Sequence, residues 1–493
     1  MFRDYWTTAK HAAIYGFGTV GYRLAGFLLL PLYTHKIPVS QYGLYGAVEV
    51  LGQLLVGVLS FGLPTALFKW LSESTDERER QVVVSTTLTV LVLANVAVLL
   101  PLYLVGIQCV GFLAQRFREA GLGPHQFRIL LSAFVGDVFL TGVVRFQLNL
   151  LRAEEKPLGY TAVSLLRFLV VVGITVYFVG VANLGIVGIY LGQVSGSGLV
   201  LLLLLGYLAR RVARRIRTDW VAPLLRYGVP LSFVTTSVLL LNLGNRFFVE
   251  HYASLAELGR YTLGQKIGNI ANVVLVQPFT FAYFPLMWRF KDSNPDFIRK
   301  ATTYFVLLGM WVFVGFALFS KSITASLART AQYQDAYKVV PLIAFASVSY
   351  GLAYLLQSPF YLSGKTQWIA IGFTFGLAVN VVFNVVTVPR WGSMAAALSI
   401  SLSYLLVAAL SYPIGRRHWS VDYEIGKLLA SLGGAAVFSW AVLRLVPGES
   451  LNGLLFRGVC FLAFPLLVGS TRLVDSSERH ALKNAALGLL RRS

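Results

Sequence analysis

Charge, cysteine and histidine are all scarce in this chain, and long polar stretches are missing. Charged residues make up 13% of its 493 positions, about half the ~25% usual in soluble domains. The two cysteines, Cys109 and Cys460, lie far apart in apolar segments. That excludes a disulfide framework and leaves them as small core residues. The six histidines never fall at metal-ligand spacing, so no metal and no other cofactor is expected. Gaps between apolar segments stay below roughly 20 residues, too short for a separate soluble domain of ~50 residues or more. A membrane glycosyltransferase, polymerase or ligase would need such a domain for its active site, so the chain is expected not to be an enzyme. The basic N-terminus leads into an apolar run longer than the about 7–15 residues of a signal peptide, without an A-x-A-like cleavage site, and reads as an uncleaved first helix.

Apolar sequence is abundant instead. Hydrophobic residues make up 56% of the chain and mean hydropathy is +0.69. About fourteen stretches reach the ~20 residues that a helix needs to cross a bilayer core of ~30 Å. The expected spans are 12–35, 42–68, 83–106, 127–150, 159–180, 185–208, 223–249, 259–287, 299–320, 337–362, 367–388, 392–412, 425–445 and 453–471. The fold class expected is an all-α polytopic membrane protein with about 14 transmembrane helices.

The net charge of +21 would point to nucleic acid in a soluble protein. Here Lys and Arg gather in alternate inter-span segments, most densely at Arg210, Arg211, Arg214, Arg215 and Arg217. That bias is the positive-inside rule; it excludes nucleic acid as the partner, makes membrane lipids a diffuse one, and places both termini in the cytoplasm of a cell whose inner (plasma) membrane holds the chain. The tail 472–493 carries apolar residues at helical spacing among basic ones, which suits a helix lying on the inner leaflet or a solvated tail.

The chain also repeats itself. Residues 35–52, HKIPVSQYGLYGAVEVLG, align without gaps to 251–268, HYASLAELGRYTLGQKIG, pairing His35 with His251, Gly43 with Gly259, Tyr45 with Tyr261 and Gly52 with Gly268, while Glu49 lands on Gln265. Weaker echoes follow in order, Lys156 with Lys365 and Gly185 with Gly392. The division expected is an N-terminal six-helix lobe 1–208, a basic linker 209–222, a C-terminal six-helix lobe 223–412, two additional helices within 413–471 and the tail 472–493. Lobes of even span number enter the membrane in the same direction, as parallel repeats about an axis along the membrane normal, an arrangement of carriers that rock one lobe against the other.

Three segments carry a resemblance: GYRLAGFLLLPLYTHKIPVSQYGLYG at 21–46, LRYGVPL at 225–231 and NRFFVEHYASLAELGRYTLGQK at 245–266. Together with the layout, which covers essentially the whole chain, they resemble the multidrug/oligosaccharidyl-lipid/polysaccharide exporter superfamily, in particular its polysaccharide flippase branch. The resemblance implies transport of a polyprenyl-diphosphate-linked oligosaccharide from inner to outer leaflet, for cell-surface polysaccharides such as O-antigen, lipopolysaccharide or exopolysaccharide. It also implies a cavity whose cations hold the diphosphate, and polysaccharide assembly proteins as further partners.

The residue types agree with that expectation. An ionisable side chain at mid-bilayer costs ~2.5–3.5 kcal/mol on insertion scales. Arg23, Arg145, Arg167, Arg226, Arg246 and Lys266 stand within the spans, and six such groups facing lipid would cost ~15–20 kcal/mol, more than a domain's whole stability of ~5–15 kcal/mol. Arg226 starts its helix, where snorkelling explains it. Arg23, Arg145, Arg167, Arg246 and Lys266 are the expected substrate-binding residues, Arg23 by its matching position in the first helix and the others by residue type. Guanidinium groups suit phosphate because they match its oxygens bidentately. Glu49 and Asp137 are the carboxylates within spans; they either neutralise neighbours, Glu49 against Arg23 for instance, or couple transport to an ion. Gly16, Gly18 and Gly21 spell G-x-G-x-x-G, but with no strand before them a dinucleotide site is rejected. The rivals are a cation-coupled multidrug antiporter and a membrane subunit of a polysaccharide export complex.

Overall fold

A computed structural model describes residues 27–73, 76–213, 216–291, 293–294, 296–446 and 448–470. Arg23, most of the first expected span and the tail 472–493 lie outside the described residues. Among the described residues the regular structure is helical, with no strand. Eleven helices among the described residues are long and apolar enough to cross a membrane. Leu202, Leu203, Leu462 and Leu466, 60–77% exposed, form the kind of surface that water penalises and lipid tails accept. The chain is a multi-pass membrane protein.

The described chain forms two compact units. Unit 1 holds the described residues up to Lys266, with Ser326–Ala336 and Phe373–Ile400. Its principal helices are α1 (Leu30–Lys36), α2 (Val39–Leu59), α3 (Leu63–Glu73), α4 (Glu77–Gln108), α5 (Pro124–Ala153), α6 (Pro157–Thr175), α7 (Gly185–Ala209), α8 (Val221–Leu243), α9 (Asn245–Tyr252) and most of α10 (Leu255–Gly268). Unit 2 holds Ile267–Ala325, Tyr337–Gly372 and the described residues from Ser401 onward. Its principal helices are α11 (Gln277–Phe290), α12 (Asp296–Leu327, to Ala325), α13 (Val340–Leu356), the two ends of α14 (Gln367–Arg416), α15 (Ile425–Leu445) and α16 (Leu451–Ser470).

Local chemistry sets the boundaries. Prolines open α5 and α6, where the missing N–H has no partner to lose. Ser254 caps α10 by accepting from the Glu257 amide at 3.1 Å, the first half of a capping box. The expected span 42–68 is two helices, because Phe61 and Gly62 adopt left-handed backbone at φ 49° and 63° and Pro64 follows without an amide hydrogen. α14 is continuous over 50 residues except at Gly392, whose φ of 57° and ψ of −141° divide it where the expected spans 367–388 and 392–412 meet. The Glu257 carboxylate there accepts from the Ser393 amide at 2.8 Å, placing a negative charge at the start of the second half. A Cβ on Gly392 would collide with that carboxylate.

The repeat is a contact as well as a sequence pattern. Within unit 1 the two copies, 35–52 and the part of 251–268 up to Lys266, pack against each other reciprocally. A Cβ on Gly43 would collide with the carbonyl oxygen of Leu255, and one on Gly259 with that of Val39. Val39 and Leu255 are repeat partners (255 less 39 is 216, as is 259 less 43). Gly46 likewise meets Thr262, its own counterpart. α2 and α10 therefore cross on a local two-fold, with backbone against backbone.

Candidate functional site: an ion cluster and a polar cavity in unit 1

The crossing of α2 and α10 carries charge on its inner side. Tyr42, Tyr45, Gly46 and Glu49 lie at i, i+3, i+4 and i+7, one face of α2. Opposite them stand Gln265 and Lys266 of α10 and Arg246 of α9. Glu49 is doubly paired: Arg246 Nη1 reaches Oε2 at 2.8 Å, and Lys266 Nζ reaches Oε1 at 3.2 Å. Tyr45 Oη donates to Oε1 at 3.0 Å, and Lys266 donates to Tyr45 Oη at 3.2 Å. From behind, Arg246 donates to Gln265 Oε1 at 2.7 Å and to Gly46 O at 3.1 Å. Gln265 in turn donates to Asn242 O at 2.9 Å. The Lys266 ammonium also lies 4.5 Å from the Tyr45 ring centre, an attractive cation–π distance. The Arg246 side chain is 3% exposed, while Glu49 and Lys266 remain about one-fifth open, at 22% and 21%.

Two cations and one carboxylate leave one positive charge over. Breaking such a buried pair is costly because the surviving charge loses its partner, so the cluster holds its members in the membrane. A tyrosine group surrounds it: ring centres of Tyr42 and Tyr45 are 5.5 Å apart, those of Tyr42 and Tyr333 5.7 Å, and those of Tyr45 and Tyr190 6.1 Å. Beside Arg246, Asn245 donates to the carbonyl of Ala396 and to Ser399 Oγ, and Asn380 and Asn384 complete a buried amide network. It fixes α9 against the middle of α14, inside unit 1.

A second polar feature runs along α5. Asp137, Thr141, Arg145 and Asn149 stand four residues apart, a single stripe. Arg167 of α6 donates to Thr141 Oγ1 at 2.9 Å and to Ser197 Oγ at 3.1 Å, and Thr141 donates onward to Asp137 Oδ1 at 3.2 Å. The lower stripe opens on a cavity of about 330 Å³. The exposed Arg145 and the half-buried Asn149 line it with Gln53, Asn95, Thr235 and Thr236. Asn95, on α4, is held by its own bonds to Leu59 O at 3.1 Å and Leu91 O at 2.8 Å.

The expected site residues therefore fall at separate places. Arg246 and Lys266 meet on Glu49; Arg167 meets Asp137 through Thr141; Arg145 stands on the cavity wall. Arg23 lies outside the described residues, and the partners seen on Glu49 are Arg246, Lys266 and Tyr45. Tyr45, Gln265, Thr141 and Asn149 escaped sequence reasoning, although the four-residue stripe and the repeat pair Glu49/Gln265 are both legible signals. Arg457 escaped it too, although it lies in the expected span 453–471. In unit 2 it is 2% exposed and donates to Glu449 Oε1 at 2.9 Å, to Val446 O at 2.7 Å, to Gly448 O at 3.2 Å and to Leu318 O at 3.3 Å. That clasp joins the α15–α16 turn to α12.

With this geometry, comparison with known proteins is informative. The sequence profile of the family described as "Polysaccharide biosynthesis protein" matches residues 8–291, more than half of the chain. The chain belongs to the polysaccharide biosynthesis protein family. A relative similar over most of the chain is the uncharacterized membrane protein YabM of Bacillus subtilis (strain 168), 24% identical over 438 residues, 82% of this chain and 80% of that one. Among solved structures, the lipid II flippase MurJ in an inward closed conformation superposes with a TM-score of 0.74 at 11% identity, covering 93% of this chain and 98% of its own. An inward-facing multidrug resistance MATE family transporter of the MOP superfamily superposes at 0.65 and 14% identity, over 81% and 94%. At such identities these likenesses establish the fold alone, one shared with the lipid II flippase MurJ and with MATE transporters.

Proposed function

We propose that this member of the polysaccharide biosynthesis family flips a polyprenyl-diphosphate-linked oligosaccharide from the inner to the outer leaflet of the plasma membrane. The observation that carries the reading is the cavity of unit 1, where an intramembrane guanidinium, Arg145, stands exposed among amide and hydroxyl side chains. Its volume, about 330 Å³, lies at the lower end of the range typical of small-ligand sites. A guanidinium grips phosphate oxygens, while Gln53, Asn95, Asn149, Thr235 and Thr236 offer the donors and acceptors that sugar hydroxyls need. The surplus positive charge of the Glu49 cluster supports the same substrate polarity.

In this reading Arg145, Arg167, Arg246, Lys266 and Arg23 serve the anionic headgroup, the polyprenyl tail stays in lipid, and the lobes 1–208 and 223–412 alternate access to the two sides. With the cell interior negative, each unit charge moved outward gains ~2.3 kcal/mol per 100 mV, so a diphosphate is drawn outward without a nucleotide. The antiporter reading needs a carboxylate free to take up H⁺ or Na⁺. It is the weaker one at Glu49, where both oxygens are already engaged by Arg246, Lys266 and Tyr45.

The test is Arg145→Ala in cells that depend on this protein for surface saccharide. Losing a charge-assisted phosphate contact of ~1.5–3 kcal/mol corresponds to a fall of about 10- to 100-fold in outer-leaflet lipid-linked sugar, with membrane levels unchanged. Full export by that variant, or proton-driven dye efflux abolished by Glu49→Gln, would overturn the reading.

A further inference from the structure

We propose that Glu49 is a built-in competitor for the diphosphate: its carboxylate occupies the cation pair Arg246–Lys266 until the lipid diphosphate displaces it. The inference rests on the flippase reading above and adds the residue that regulates its anion site.

The geometry is that of an anion site already filled. One carboxylate oxygen takes the Arg246 guanidinium at 2.8 Å; the other takes the Lys266 ammonium at 3.2 Å and the Tyr45 hydroxyl at 3.0 Å. These are the donors a phosphate group would use. The donors do not depend on Glu49 for their placement. Arg246 is held by Gln265 and the Gly46 carbonyl, and Lys266 rests over the Tyr45 ring. If Glu49 swings away, a preorganised pair of positive charges remains.

Two further features make displacement favourable. Glu49 and Lys266 are each about one-fifth open, so the carboxylate is not sealed in. A single negative charge also leaves the cluster one positive in excess, which attracts a further anion to it. The exchange has a mechanical consequence. Glu49 belongs to α2 and the cations to α9 and α10, and α2 meets α10 at the reciprocal glycine contacts. Removing Glu49 from the cations cuts the ionic part of the tie across that crossing and leaves the bonds of Arg246 to Gly46 O and of Lys266 to Tyr45 Oη, so headgroup binding weakens the hold of α2 on α10.

The experiment uses the full chain in nanodiscs with farnesyl diphosphate as probe and farnesol as control. Glu49→Gln keeps the side chain's shape and removes the competing charge. Removal of a competing charge-assisted contact predicts about tenfold or greater tightening of farnesyl diphosphate binding and no change for farnesol. Glu49→Asp, a carboxylate one methylene shorter, should fall between wild type and Glu49→Gln, and it keeps the test available if the amide variant does not fold. Lys266→Gln should abolish the gain. If wild type binds farnesyl diphosphate and both Glu49 variants bind it equally or more weakly, the competitor role is wrong while the flippase reading stands. If neither wild type nor variants bind it, the flippase reading falls as well.

Discussion

A buried arginine in a membrane protein must be accounted for partner by partner, and Arg457 shows how. One guanidinium meets a carboxylate and three backbone carbonyls, while Ser322 donates to the second oxygen of Glu449 at 2.6 Å. The carbonyls of Val446 and Gly448 lie at and beyond the end of α15, where helical backbone lacks partners of its own. Burial alone would raise the Glu449 carboxyl, but the bonds from Ser322 and Arg457 and the nearby positive charge hold it below the usual carboxylate range. Arg457→Ala should cost about 3–5 kcal/mol, the loss typical of breaking a buried pair, seen as a large drop in melting temperature in detergent. Arg457→Lys should recover only part, because one ammonium lacks the planar fork that reaches four acceptors. Unchanged melting of the alanine variant would show that the clasp contributes nothing.

Among elements, the decisive contact is the crossing of α2 and α10. Gly43 and Gly259 are repeat partners, and each lets the other helix's backbone carbonyl approach where a methyl group has no room. Small residues that let backbones approach closely are the usual currency of helix packing in lipid. Gly43→Val and Gly259→Val should each destabilise by about 1–3 kcal/mol or more through overpacking, and the reciprocal geometry requires comparable losses from the two. Gly111→Ala, where a Cβ meets nothing within 4 Å, should change stability by less than about 0.5 kcal/mol. A tolerated Gly43→Val would mean that the crossing adjusts freely. Gly392 plays a different part: its positive φ sets the break in α14, and Glu257 holds the second half from outside the helix.

For the whole molecule, the basic segments predict orientation. Arg211 is tied to Glu77 at 2.8 Å and to Glu154 at 3.2 Å, and Arg217 to Asp219 at 2.6 Å. The basic stretch after α7 is thus fastened to its neighbours and to the start of α4. By the positive-inside rule this face is the one expected on the cytoplasmic side. A C-terminal fusion should therefore fluoresce as a green fluorescent protein and stay inactive as alkaline phosphatase. The reverse result would invert the expected orientation and with it the proposed direction of transport.

Hydrophobic length and the distribution of Lys and Arg were enough for the helical membrane class, because the bilayer leaves a chain so few ways to satisfy its backbone. The repeat at 35–52 and 251–268 was visible too, since symmetry-related helices keep residues such as Gly43 and Gly259 wherever backbones touch. Breaks were unevenly visible: Gly392 falls at an expected span boundary, whereas Gly62, inside the expected span 42–68, looks like any other glycine until the backbone shows a positive φ. The partners of the intramembrane charges were out of reach of sequence. Glu49 lies 197 residues from Arg246, and only three-dimensional packing decides which cation a carboxylate meets. Composition and periodicity are local quantities and determined the all-α membrane class and where the apolar helices concentrate. The pairing of the charged groups, and the cavity beside Arg145, came from the tertiary structure, because electrostatic energy depends on distance through space and not along the chain.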